Sequence, residues 1–319
     1  MQIPFGSFVK ETITFPQDPS GEIWRLEYVV RPERSRFEPI VFIFTSTGVN
    51  RGDDLEDLLN PRVRALYEPL ANAGCLCVWI DLPSRADMTA WIRHTCNEPN
   101  YDLGGLTALR INIALDRIRQ LGRGDRNAIG IIGDCRGALP ALRYLAHPEC
   151  ESKYVALLSP VTELYVLKER ADAGYSDERY QPVLLAAGAN YVTEILARKL
   201  SKYKLWMCVG NNDQRVDSRQ AIGLARGILG NRLLLPIPPY PIQVPFELLD
   251  FASHIELHVL PSLPSVFSTD PDQGDPTDPT DMNDQRSGPK PMPNVLGHMI
   301  HFSANQLAGQ WLLSQFMNL

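Results

Sequence analysis

Residues 128–146 constrain this chain more than any other stretch. Ala128 to Ile132 is a short apolar run rich in isoleucine, Gly133-Asp134-Cys135-Arg136-Gly137 follows it, and Ala138 to Ala146 has the composition of a helix. A strand that turns at once into a helix through a G-x-C-x-G pentapeptide pushes the central side chain out above a sheet. Glycines two places before and after it are needed because larger side chains collide there. Cys135 then sits at a helix N-terminus, whose free N–H groups favour a thiolate and any oxyanion formed on it. Arg136 adds a cation with the same effect on the thiol. Pro140 fits only the first turn of that helix. The competing reading is a buried structural thiol at a tight turn.

The flanking sequence places this turn within a sheet. Thr12 to Phe15 and Ile23 to Val30 read as early strands, the second with Trp24, Leu26, Tyr28 and Val30 on one face. Ile40 to Phe44 is a continuous apolar β-type run, as a buried parallel strand should be. Asn60-Pro61 reads as a cap and first residue of a helix stopped by Gly74, with Pro69 expected to kink it. Cys75 to Ile80 is the next strand. In the helix near 103–120, Leu106, Leu109 and Ile113 form one stripe, and Ile111, Leu115 and Ile118 a second. Tyr154 to Leu158, Leu205 to Val209 and Ile255 to Val259 extend the strand series, with helices near 218–229 and 302–317. Such alternation implies an α/β fold with a doubly wound, mostly parallel sheet.

Two regions depart from it. Residues 161–200 are helical in composition and fit a small cap. Residues 268–294 are polar and rich in Asp and Pro, a composition that cannot bury itself. They read as a surface insertion, dispensable for folding, within one domain spanning 1–319. Residues 231–249 are apolar and proline-rich with no clear period, which excludes a central strand. They read as a loop packed on the core's edge, or as an apolar wall beside Cys135.

Composition excludes some partners. The net charge is −6, with 21% charged residues, so no basic footprint for nucleic acid exists. No run of 18 apolar residues suggests a membrane span, and the first residues do not resemble a signal peptide. The six cysteines show no CxxC pair or metal-ligand spacing. Apart from Cys135, they read as small apolar filler in a reducing cytoplasm. The expected partner is a small-molecule substrate, with neither metal nor organic cofactor implied; the oligomeric state is not legible.

Nucleophilic catalysis needs an acid and then a histidine, in the chain order nucleophile, acid, histidine. Asp213 follows the strand Leu205 to Val209, where a carboxylate reaches an imidazole; Asp217 is its rival but reads as a helix cap. His298, in Gly297-His298 before the last helix, is the candidate base, and His301 is the alternative.

With these residues in place the chain resembles the α/β-hydrolase superfamily, and most of all its dienelactone hydrolase branch, whose elbow also carries Cys for Ser. The resemblance rests on the strand before Thr47-Gly48, the Asp81-Leu82-Pro83 turn, the elbow, Gly210-x-x-Asp213-x-x-Val216 and Gly297-His298. It implies an α/β-hydrolase-type sheet with a small helical cap. It also implies a Cys135-His298-Asp213 triad, with an oxyanion hole from the Arg136 amide and the loop containing Gly48 and Val49. Thr47-Gly48 stands where the family has His-Gly, and Ala138 where it has a second glycine. Arg136 replaces a small or apolar residue, and its charge suggests a substrate bearing an acidic group. The implied activity is hydrolysis of an ester, lactone or thioester. Acyl transfer or cyclisation through the same acyl-cysteine is the second reading, and a non-catalytic binding protein of the same fold the third.

Overall fold

The computed structural model describes residues 8–19, 21, 23–33, 37–44, 61–81, 105–162, 199–213, 216, 218–229, 242–244, 246–250, 255–261 and 302–318. Nine strands lie in one sheet: β1 (Val9–Phe15), β2 (Trp24–Val30), β3 (Pro39–Phe44), β4 (Leu76–Ile80), β5 (Asp125–Asp134), β6 (Tyr154–Leu158), β7 (Lys204–Gly210), β8 (Phe246–Asp250) and β9 (Ile255–Leu260). Their spatial order is β1-β2-β4-β3-β5-β6-β7-β9-β8. Neighbours from β4 to β9 pair parallel. The β1–β2, β2–β4 and β8–β9 pairs are antiparallel. The described helices are α1 (Pro61–Asn72), α2 (Gly105–Gln120), α3 (Ala138–Ala146), α4 (Arg219–Leu229) and α5 (Phe302–Phe316).

The inner strands are buried on both faces, which is why they read as unbroken apolar runs. Alternation divides them between two cores. Ile40, Phe42, Phe44, Ile129, Ile131, Val155, Leu157, Leu205 and Met207 pack with α2, α3 and α4. Val41, Ile43, Ala128, Ile132, Ala156, Trp206 and Cys208 pack on the other face with α1 and α5. A Cβ at Gly130 would lie 2.8 Å from Phe316 Cζ and 3.1 Å from Leu312 Cδ2. Glycine there lets α5 sit directly on β5.

A buried ion pair ties the N-terminal hairpin to the layers. Arg110 on α2 pairs with Asp18, both side chains 1% exposed. Arg110 Nη1 also donates to the Asp81 carbonyl at 2.8 Å. The Asp81 carboxylate accepts from the Arg25 amide at 3.0 Å and from Arg25 Nε at 3.3 Å. The end of β4 is thereby fixed.

Four expectations need adjusting. Leu109 is 37% exposed, not on the apolar stripe. The buried line on α2 runs through Ala108, Ile111, Leu115 and Ile118, a single helical face whose centre lies about 140° from Leu109. β5 begins at Asp125 instead of Ala128, because Asp125 pairs with Pro39 of β3 ahead of a register shift that precedes the apolar run. α1 runs on through Pro69. Within 231–249, the proline-free segment at its end forms edge strand β8; an edge accepts residues too polar for the interior. The insertion 268–294, residues 163–198 of the candidate cap, and 231–241 lie outside the described residues.

Candidate active site

β5 ends at Asp134, Cys135–Gly137 forms a single 3-10 turn, and α3 starts at Ala138. Cys135 has φ 52°, a left-handed conformation that a side chain adopts only against steric strain. A Cβ at Gly133 would lie 2.9 Å from Ala138 Cα and 3.0 Å from Leu157 Cδ2. The first of these is backbone and cannot step aside, so this position admits glycine alone. The close approach of α3 to the end of β5 follows, and Pro140 occupies the first turn of α3, where its missing N–H is harmless. Cys135 keeps 6% of its surface exposed.

Asp213 lies beyond the C-terminal end of β7, after Asn211-Asn212, and is fully buried. Its Oδ1 accepts a hydrogen bond from the Val216 amide at 2.9 Å. The surrounding loop is pinned: Ser218 donates its hydroxyl to the Gly210 carbonyl, and the Asn211 amide donates to Leu260 O at 2.8 Å. Cys135 and Asp213 therefore both follow the C-terminal ends of parallel strands, with only β6 between those strands.

His298, His301, Asp217, Thr47, Gly48 and Val49 lie outside the described residues, as does the Arg136 side chain. Cys77 and Cys208, in β4 and β7, and Cys75, just before β4, are buried. Burial pushes the thiols of Cys75 and Cys208 up to about 12 and that of Cys77 well above its usual value. Burial also raises Cys150, at the opposite end of the strands. His258 is flanked by carboxylates, with Nδ1 3.2 Å from Glu247 and Nε2 3.6 Å from Glu256. It belongs to the β8–β9 edge. Among the described residues no three His, Cys, Asp or Glu side chains gather to hold a metal ion.

Sequence reasoning did not single out the end of β6. Ser159 has φ 40°, and Cys135 and Ser159 are the two described non-glycine residues with positive φ. The Val161 amide donates to the Cys135 carbonyl at 3.1 Å, and the Ser159 amide to Cys208 O at 2.9 Å. Thr162 binds Gln220 on α4 through its amide, at 2.8 Å. A serine ending an apolar run before Pro160 carries no local signal of any of this.

Solved structures share this architecture. A candidate dipeptidyl aminopeptidase IV from Bacteroides ovatus matches with a TM-score of 0.55 and 15% identity, over 81% of this chain and 33% of that one. Acetyl xylan esterase from Paenibacillus sp. R4 matches at 0.50 and 17% identity, over 72% and 77%. Carboxyl esterase 2 from Tuber melanosporum matches at 0.50 and 15% identity, over 72% and 74%. The chain thus spans a third of the length of the first and about three quarters of the two esterases. No family model and no curated protein matches the chain in sequence. The fold is that of the α/β-hydrolases, with a mostly parallel sheet and helices on both faces. Among the described residues no helix is long and apolar enough to cross a membrane.

Proposed function

We propose that the protein hydrolyses a small ester, lactone or thioester through a Cys135-His298-Asp213 triad, in the manner of the dienelactone hydrolase branch. The observation that carries this reading is the left-handed Cys135 on a strand–turn–helix junction that only glycine at position 133 permits. Strain of this kind concentrates where a side chain must be presented. The place of Asp213 beyond the C-terminal end of a nearby parallel strand supports it, and two of the fold neighbours are esterases.

Cys135 Sγ attacks the substrate carbonyl carbon while His298 takes the thiol proton. Asp213 holds the imidazole in the tautomer that accepts it. The oxyanion lies against the Arg136 amide and an amide of the Gly48-Val49 loop. The C–O or C–S bond breaks, and the leaving group carries off the proton from His298. Water, deprotonated by His298, then attacks the acyl-cysteine; the acid departs and the thiol regains its proton. The Arg136 guanidinium binds an acidic group on the substrate.

A panel of p-nitrophenyl esters, aryl lactones and thioesters tests this. Cys135→Ala and His298→Ala should each lower kcat/KM by at least about a thousandfold. Full turnover in either variant would refute the triad, and full turnover in His298→Ala with loss in His301→Ala would transfer the base to His301. Arg136→Gln should raise KM for carboxylate-bearing esters far more than for neutral ones; an equal loss for both removes the acidic-substrate claim.

A further inference from the structure

Ser159 is held in a way that a purely structural residue at its position would not need. The parallel register pairs Asp134 with Leu158, so Cys135 and Ser159 are the next residues along adjacent strands. Their backbones are tied on both sides: Val161 N–H to the Cys135 carbonyl, and Ser159 N–H to the Cys208 carbonyl of β7. The end of β6 is thus clamped between the strand of the nucleophile and the strand of the acid.

Within that clamp Ser159 carries two penalties. Its φ of 40° is left-handed, where glycine is free of strain and serine is not. Its side-chain oxygen is shielded from solvent and has no hydrogen-bond partner among the described residues, although buried hydroxyls are normally paired. Glycine would remove both penalties and alanine the second. Serine answers neither need, so its hydroxyl has a use in another state of the site.

We propose that Ser159 is a positioning residue for Cys135, whose hydroxyl turns to donate a hydrogen bond to the Cys135 sulfur when that sulfur carries charge. The inference rests on Cys135 being the nucleophile. With the backbone pinned, χ1 is the torsion left to Ser159, and its staggered wells re-aim the oxygen without moving the strand. A neutral thiol is a weak acceptor, so an unpartnered hydroxyl on the adjacent strand is the expected resting state. A thiolate is a strong one, and a charge-assisted bond forms as the proton leaves. No bond to sulfur is made or broken in this step. The thiol proton passes to the base, and the serine keeps its own.

The test follows the pH dependence of Cys135 alkylation by iodoacetamide, peptide by peptide, in the full-length wild type, Ser159→Ala and Ser159→Gly. Both variants lack the hydroxyl, but only glycine relieves the backbone. Both midpoints should rise by about one pH unit, a tenfold loss of reactive thiolate below the midpoint, while the melting temperatures stay at or above that of the wild type. Unchanged midpoints in both variants overturn the proposal, as does a shift in Ser159→Gly alone, which would assign the effect to backbone strain. A fall in melting temperature without a midpoint shift would assign the hydroxyl to a structural water, and also overturns it. If wild-type Cys135 resists alkylation from pH 5 to pH 10, the nucleophile reading falls and the Ser159 role with it.

Discussion

The amide of Val161 donates a hydrogen bond to the carbonyl of Cys135 at 3.1 Å, joining the end of β6 to the residue with the most constrained backbone at the site. The bond spans adjacent parallel strands just past the point where their ladder stops at Asp134 and Leu158. It fixes the peptide that follows Cys135, and so the direction in which the helix α3 leaves the sheet.

The glycine before this turn should be irreplaceable. Gly133→Ala sets a Cβ 2.9 Å from the Ala138 Cα, so β5 and α3 must separate. The expected loss is about 3 kcal/mol by urea denaturation. Gly130→Ala meets the end of the Phe316 ring at 2.8 Å, which can tilt, and should cost about 1 kcal/mol. Equal losses would contradict the distinction between a backbone and a side-chain obstacle.

The cysteines should separate sharply in reactivity. With Cys75 and Cys208 pushed up to about 12 by burial, roughly one molecule in ten thousand carries either thiolate at pH 8. Iodoacetamide at pH 8 should therefore modify Cys135 well before Cys75, Cys77 or Cys208 in the native protein. All should label once denaturant is added. Early labelling of Cys208 with Cys135 untouched would contradict the site.

These two outcomes concern features that were unequally legible in the sequence. Runs such as Ile40–Phe44 and Tyr154–Leu158 declare themselves because strands buried on both faces need apolar side chains at every position. The elbow is legible for a related reason: steric exclusion at residue 133 demands a particular residue type, and type is what a sequence records. Asp213 draws attention through its place after a strand. β8 does not, since an edge strand with one exposed face keeps no strict pattern, and Leu249 there is 43% exposed. Leu109 shows the opposite failure, an apolar residue at plausible helical spacing that lies off the buried face of α2. The left-handed Ser159 depends on hydrogen bonds to Cys208 and the tie from Val161 to Cys135, partners distant in sequence, so nothing local announces it.

The β8–β9 edge should respond to pH. The carboxylates of Glu256, first, and of Glu247 raise the His258 pKa above its ordinary value against the opposing effect of burial. Its stabilisation is complete below the unfolded value of about 6.5 and is lost as pH rises through the higher folded value. Relative to His258→Gln, the wild type should melt about 1 °C higher at pH 6 and lose that margin as the pH is raised further, a small effect because both carboxylates are partly exposed. A margin that grows with pH would contradict the ion pairs.

The central claim is covalent catalysis by Cys135. Rapid quenching of wild-type protein during turnover of an activated acyl ester, followed by peptide mass spectrometry, reads it directly. The account predicts one acyl group on the peptide containing Cys135, thioester-bound and released by hydroxylamine, and none on Cys75, Cys150 or Cys208. Turnover with Cys135 unmodified throughout, or an acyl group residing on another side chain, would contradict it.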